Sequence, residues 1–494
     1  MTRRTLHLGY MYWANGTHPA GWRRRGAEYA RAFDPDYIAE LARIAEDAKF
    51  DFFFFGDRLA TGVEYELTNT SVIARIEPFT TAAYLATRTS RIGLVVTANP
   101  TYYEPFTLAR LTASLDHITR GRASWNIVTG ADGRAAQNYS RDEHGDANAR
   151  YDRADEFVRL VRDLWDSWED DAFIRDKETG EFVDASKIHR VDHDGTAFRV
   201  RGPLNVARPP QGHPVVLHAG TSERSRQLGG READVLFAAA ATIEQGVAYR
   251  SELRRRAAEE GRDPGTVAVL PGLTPIVAET TQRAREIYDE LNALILLDDD
   301  VRLGGRAPED WAYSETLGRR EDYGPGYRNL GALSQRIGYD ATRHDLDDAV
   351  TADAVATFGP VGRQLVGTVS RRTGRGVGGG QPATWRDLLY AHIVAGHVIV
   401  GGPAEVADYI EEWFVAEASD GFNIQSAFLV EQLQAFADLV VPELQRRGLF
   451  RTEYEGTTLR DHLGLDRPSG RWASPEHDTE HAAPPAGSAS ERSA

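Results

Sequence analysis

The run GRASWNIVTG, residues 121–130, is an apolar β-type stretch that carries Asn126 and Thr129 near its end. Inside a core strand an amide and a hydroxyl would each need a partner. Two of them together at a strand's carboxyl end point to a bound ligand, the alternative being a bond to a neighbouring loop's backbone. In AGTSERS, residues 219–225, an apolar run leads into Gly220, Thr221 and Ser222 before a helical pattern. That places hydroxyls and free N–H groups at a positive helix end, a geometry that binds phosphate; the same residue types are also favoured as ordinary N-caps. Asp57 follows Gly56 at the end of the apolar run FFFF, placed either for a ligand or for Arg58 and a local turn. Thr97 and Asn99 end another apolar run, and Asn423 and Gln425 lie within a further one. His18 sits in a loop with Pro19, Trp22 and Arg23 and has the chemistry of an acid, a base or a substrate contact. A ring of neutral hydrogen-bonding groups with one carboxylate suits a polar heterocycle better than a metal ion.

Other chemistries find little footing. The chain has no cysteine, so disulfides, thiolate metal sites and cysteine nucleophiles are excluded, and redox chemistry has to come from a bound group. His189 and His193 have an i, i+4 spacing, but their surroundings do not read as a helix and no metal site is expected. No P-loop or G-x-S-x-G elbow occurs, and the stretch resembling a dinucleotide glycine motif, Gly374–Gly380, does not follow a strand. A formal net charge of −17 disfavours nucleic acid. With no apolar run long enough to cross a bilayer, and no apolar signal core in Met1–Tyr10, no membrane association is expected and the cytoplasm is the expected location.

The elements that must position these groups alternate along the chain. Strand patterns occupy Leu6–Met11, Asp51–Phe55, Ile92–Thr97, Ala123–Val128, Val215–Ala219, Val235–Ala238, part of Val267–Val277, and Phe422–Phe428. Helical periodicity marks Phe79–Arg88, Phe106–Ile118, Arg153–Trp168, Ile243–Glu260, Thr281–Leu297 and Glu405–Ala418. Eight strands with crossover helices predict an α/β fold, a (β/α)8 TIM barrel, with an open doubly wound sheet as the competitor. One domain is expected over 1–465. Long insertions follow strands 4 and 7, near 170–214 and 298–380; the first is read as a cover for the site and the second as helices with a lid-like glycine-rich segment. A disordered tail is expected at 466–494.

Longer motifs add a resemblance. THPAGWR (17–23), FFFFGD (52–57), EPFTTAAYLA (77–86), PFTLARLTASLDHITRGRASWNIVT (105–129), RYDRADEF (150–157), AGTSERSR (219–226) and PELQRRGLFRTEYEGTTLRDHLGL (442–465) resemble the bacterial-luciferase-like flavin monooxygenases. The similar branch includes nitrilotriacetate, EDTA and dibenzothiophene sulfone monooxygenases, pristinamycin IIA synthase and riboflavin lyase. The resemblance implies a barrel that binds FMN, used as FMNH2, with O2 as co-substrate, a separate NAD(P)H:flavin reductase as partner, and a homodimer or homotetramer. Carried over by position, Asp57, Thr97 and Asn126 surround the flavin ring and ribityl chain, and Tyr151, Thr221 and Ser222 hold the phosphate; Thr129, from its place at the strand end, is a further expected cofactor contact. His18 and Asn126 are the catalytic candidates. His218 and Ser225 depart from the family, which often has Gln and Gly there, and Arg24 and Arg25 extend the substrate-side loop.

The expected activity is a two-component, FMNH2-dependent oxidation of a small organic molecule. Tyr12, Trp13, Tyr102, Tyr103 and Phe106 either line the mouth or pack the core; if they line it, a heteroaromatic substrate follows, riboflavin cleavage to lumichrome included. Aryl sulfones and aminopolycarboxylates are the other candidates. A deazaflavin-dependent oxidoreductase and a non-catalytic flavin-binding protein are the alternatives.

Overall fold

A computed structural model describes residues 4–60, 74–130, 133–238, 240–295, 297, 330–378 and 380–473. Short apolar runs become parallel strands: β1 (His7–Tyr12), β2 (Phe52–Phe55), β3 (Gly93–Ala98) and β4 (Ala123–Ile127), then, past a two-stranded hairpin of β5 (His193–Asp194) and β6 (Arg199–Val200), β7 (Val215–Ala219) and β8 (Val235–Phe237). The seventh barrel strand is broken into β9 (Ala268–Val269) and β10 (Gly272–Val277); β11 (Val398–Gly401) and β12 (Gly421–Ile424) complete the sheet. Its order runs β11-β10-β12-β1-β2-β3-β4-β7-β8-β9. The break falls at Pro271, which has no N–H to give the ladder. Leu270 N–H donates to Leu236 O (2.8 Å), Asp420 N–H to Val269 O (2.9 Å) and Asn423 N–H to Pro271 O (2.9 Å). One broken strand is therefore bonded to β8 on one side and β12 on the other, and the ring is an eight-stranded (β/α)8 barrel. The strand β11 was not expected: it adds to the outer part of β10, pairing Thr274 with Val398.

Strand periodicity sorts the core. Phe52 and Phe54 join Val95, Val215, Leu217, Val235 and Leu270 in one cluster, the barrel interior. Phe53 and Phe55 belong instead to the large cluster beneath the helices, as alternation requires. The same interior cluster takes in Leu459, Leu463 and Leu465. Leu459 N–H donates to Gly121 O at 2.9 Å, so the C-terminal segment plugs the barrel at the amino end of its strands. Crossover helices include α1 (Pro35–Asp47), α2 (Pro78–Leu85), α3 (Pro105–Thr119) and α4 (Ala147–Trp165). Asp34 and Glu77 cap α1 and α2 by accepting backbone N–H bonds just ahead of a proline in the first turn.

The 170–214 excursion does not cover the site. None of its residues lines the central cavity. It clamps the outer face of α4: Glu156 accepts from His193 Nε2 and from the N–H groups of Ala197 and Phe198, each at 2.9 Å, while Arg208 Nε donates to Asp166 (2.9 Å). Residues 466–473, expected to begin a disordered tail, are held there too, since the Arg467 guanidinium grips both oxygens of Asp170; residues 474–494 lie outside the described residues.

After β7 and β8 come α5 (Glu223–Glu232) and α6 (Ile243–Glu259). The second excursion leaves β10 through α7 (Thr281–Ala293), α8 (Leu330–Ile337), α9 (Pro360–Thr373) and α10 (Trp385–Ile393), and reaches β11 well past residue 380. These helices share a second core around Tyr288, Leu291, Leu333, Leu365 and Trp385. Residues 298–329 lie outside the described residues. The chain returns through α11 (Pro403–Val415) and ends with α12 (Leu459–His462).

Candidate active site

The plug closes one end of the barrel, and the strands' carboxyl ends open into a cavity of about 1150 Å³. That exceeds the roughly 300–1,000 Å³ usual for one small-molecule ligand and leaves room for two reactants. Met11, Phe54 and Phe237 form an apolar floor; Asp57, Thr97, Asn126, Thr221, Asn423 and His18 stand on the walls.

Register places Thr97 beside Asn126 across the β3–β4 ladder. The Thr97 hydroxyl donates to Phe55 O (2.7 Å) and accepts from Asn126 Nδ2 (3.0 Å). This leaves Asn126 Oδ1 buried with no partner among the described residues, as is Asn423 Oδ1 on β12. An acceptor left unsatisfied in a dry wall costs roughly 1–3 kcal/mol, and an N–H-bearing heterocycle in the cavity would relieve it. The isoalloxazine of a reduced flavin carries such groups, so the wall fits it. Burial raises the Asp57 carboxyl above its ordinary value, opposed by the hydrogen bond from Arg58 N–H (2.7 Å) and by the Arg75 charge.

The turn after β7 is built for close approach. Gly220 has φ +146°, and a Cβ there would lie 2.3 Å from Ser225 Oγ and 3.8 Å from the Tyr151 hydroxyl. Tyr249 donates to Gly220 O (2.8 Å). Ser222 is the N-cap of α5, its Oγ accepting from Ser225 N–H (3.2 Å), with Thr221 on the cavity wall. Ser222 and Tyr151 flank this turn without lining the cavity. Thr129 does not line it either: it is buried, and its carbonyl accepts from Thr101 Oγ1 (2.9 Å).

Beneath the turn, the two departures from the family pattern are each other's partners. Ile127 O can only accept, so His218 Nδ1–H donates to it (2.9 Å) and His218 Nε2 accepts from the Ser225 hydroxyl (2.8 Å). Burial pushes the His218 imidazole down to about 4. The Ser225 proton is thus committed to His218.

His18 is also neutral and fully engaged. Ala20 N–H donates to its Nδ1 (3.2 Å), so Nε2–H donates to Asn292 Oδ1 (3.2 Å). Burial brings its pKa to about 4. The imidazole ties the 17–23 loop to α7, where sequence alone allowed an acid or base.

Of the five aromatic residues expected near the mouth, Trp13 lines the cavity, with the Arg75 guanidinium 4.3 Å from its ring centroid. Tyr12 is buried and donates to Ala32 O (2.8 Å), and Tyr102 stacks on Tyr139. Tyr103 and Phe106 pack on the outer core. His189 and His193 pair with Glu169 and Glu156, and among the described residues no group of three potential ligands could hold a metal ion. No described helix is long and apolar enough to cross a membrane. Sequence reading missed Arg336, Arg371 and Arg372, which the second excursion brings to the cavity. Arginines in the last turn of a helix read as ordinary complements to its dipole.

Comparison with known proteins agrees with this site. A family model described as luciferase-like monooxygenase matches residues 17–419. Nitrilotriacetate monooxygenase component A of Aminobacter aminovorans is 41% identical over 486 residues, covering 96% of this chain and 99% of that protein. N-acetyl-S-(2-succino)cysteine monooxygenase of Bacillus subtilis is 40% identical over 476 residues, covering 95% and 99%. A crystal structure of riboflavin lyase with modified FMN and riboflavin superposes with a TM-score of 0.71 at 29% identity, covering 94% of this chain and 97% of that one. The chain belongs to the luciferase-like monooxygenase family and is a flavin-dependent monooxygenase.

Proposed function

We propose that this chain is the oxygenase component of a two-component system, taking FMNH2 from a separate NAD(P)H:flavin reductase and using O2 to oxidise a small polycarboxylate. The observation that carries the flavin assignment is the pair of buried acceptors without a partner among the described residues, Asn126 Oδ1 and Asn423 Oδ1, on the wall of a cavity that also takes in Gly220 and Thr221. Bound reduced flavin supplies the activation of O2. The protein's share is to hold and shield it. Asn126, oriented by Thr97, meets a ring N–H; Thr221, Ser222 and the N-terminus of α5 take the phosphate, with Tyr151 alongside; Phe54, Phe237 and Met11 keep water from the floor. His18, neutral, holds the substrate loop in place. The name "component A" of one relative supports a reductase partner. A cytoplasmic homodimer or homotetramer is the proposed state, and light scattering on the purified protein tests the assembly.

The lining supports the substrate class. A heteroaromatic substrate was expected if five aromatic side chains faced the cavity; Trp13 does, while Arg336, Arg371 and Arg372 form a cationic wall. Nitrilotriacetate and N-acetyl-S-(2-succino)cysteine, named for the two relatives, both carry several carboxylates and a heteroatom next to C–H bonds. The test supplies enzymatically reduced FMN and 18O2 with these two compounds, riboflavin and dibenzothiophene sulfone, and identifies products by mass spectrometry. Label entering products of the carboxylates is the expected result. Conversion of riboflavin or the sulfone alone would overturn the substrate class. Activity only with a reduced deazaflavin, or FMN binding without any oxidation, would overturn the oxygenase reading.

A further inference from the structure

We propose that Arg371 and Arg372, in the last turn of α9, form the subsite that binds a carboxylate of the substrate; the inference rests on the polycarboxylate reading above and assigns residues to it. Both line the cavity that also holds Asn126 and Thr221. Arg372 is 3% exposed. Its guanidinium donates to Val394 O (2.8 Å), Gly396 O (3.0 Å) and the Tyr288 hydroxyl (3.4 Å), and its Nε has no partner. Among the described residues no carboxylate pairs with it. Arg208 and Arg250, buried to a similar degree, each hold two carboxylates. Burying a cation without a counter-charge is costly, and the three acceptors that hold Arg372 are neutral. An anion in the adjoining cavity would supply the missing charge.

Arg371 is the movable half. It is exposed to the cavity, donates to Thr368 Oγ1 (3.2 Å) one turn earlier, and has no carboxylate partner among the described residues. Burial and the like charge of Arg372 both make its proton easier to lose. Two adjacent guanidiniums facing one space repel each other unless an anion bridges them, and a carboxylate matches their planar donor forks. The field reaches across the chamber: after burial, the Arg372 charge contributes to the low pKa of His18, and Arg372 with Arg371 to that of His397, about 4 in each case. A role limited to complementing the helix dipole would require neither cavity exposure nor the burial of Arg372.

The test uses the full chain and N-acetyl-S-(2-succino)cysteine, its trimethyl ester and nitrilotriacetate as probes, with binding by titration calorimetry beside the FMN dissociation constant by fluorescence. Arg371→Gln should weaken both carboxylates roughly ten- to a hundred-fold, leave FMN affinity unchanged and leave the ester no worse bound than in the wild type. Arg371→Lys should recover part of the loss. Arg372→Gln should weaken the carboxylates as Arg371→Gln does, and Arg372→Lys, which keeps the charge but loses the planar fork, should weaken them less and keeps the test open if Arg372→Gln fails to fold. If the wild type binds the carboxylates and Arg371→Gln binds them equally well, the subsite is wrong and the substrate class stands. If the wild type binds neither carboxylate, the substrate class falls and the subsite with it.

Discussion

Asn126 is where one side chain separates ligand from fold. Its Nδ2 is used internally, on Thr97, while its Oδ1 has no partner among the described residues. Asn126→Ala should therefore weaken FMN binding and turnover by roughly ten- to a hundred-fold, with a much smaller shift in the urea midpoint. Equal losses of flavin affinity and stability would mean that the amide serves the strand and not the ligand. The histidines give a second measurable property. His18, His218, His397 and His462 are each held near 4 by burial, against 6.5 for a free imidazole. The unfolded chain thus binds more protons than the folded one between pH 6.5 and 4. Stability should be full above pH 6.5 and fall as pH drops through that window, by up to about 1.4 kcal/mol per pH unit for each histidine. Urea unfolding at pH 7 and pH 5 checks this, and His218→Gln should make the dependence shallower. These protonation states were not legible in the sequence, because a histidine's neutrality depends on burial by segments far away along the chain, which outweighs the opposite pull of the bonds to Ile127 O and Asn292.

The strand-to-helix turn 219–223 was legible as a candidate phosphate site with an ordinary N-cap as the alternative, since glycine and hydroxyl residues at a helix start serve both, and Ser222 does cap α5. What the sequence did not reveal is why Gly220 must be glycine: Ser225 Oγ occupies the space of a Cβ, and φ is positive. Gly220→Ala should raise the FMN dissociation constant at least tenfold, about 1.4 kcal/mol, with near-unchanged far-UV circular dichroism. Ser222→Asp should do likewise through repulsion of the phosphate, and that loss should shrink in high salt as screening grows; unchanged flavin affinity in both variants would refute the phosphate assignment. Other elements were harder to see. The VIVG run of β11 is four residues long between Gly396 and Gly402, β-type but too short to show a period, and pairing with β10 makes it a strand. The 170–214 segment looked like a cover because it is long and rich in β-type residues. Phe198 against Phe157, and Arg208 on Asp166, turn it to the outside of α4.

For the whole molecule, closure depends on the plug. Leu459 is fully buried inside the barrel's amino end, in contact with the place where a Gly93 side chain would stand. Leu459→Ala should cost roughly 2–5 kcal/mol, lowering the urea midpoint while FMN affinity in the folded protein stays close to wild type, since the cavity lies at the opposite rim. A large loss of affinity without loss of stability would contradict that separation. By itself the sequence determined the eight-strand alternation, the polar groups at the strands' carboxyl ends and the family, because these depend on local periodicity and on residues adjacent in the chain. The tertiary structure alone decided which end is plugged, which excursion roofs the cavity and which arginines remain without a carboxylate among the described residues. Those outcomes turn on burial and charge pairing between segments hundreds of residues apart, and no local pattern records whether a guanidinium will meet its counter-ion.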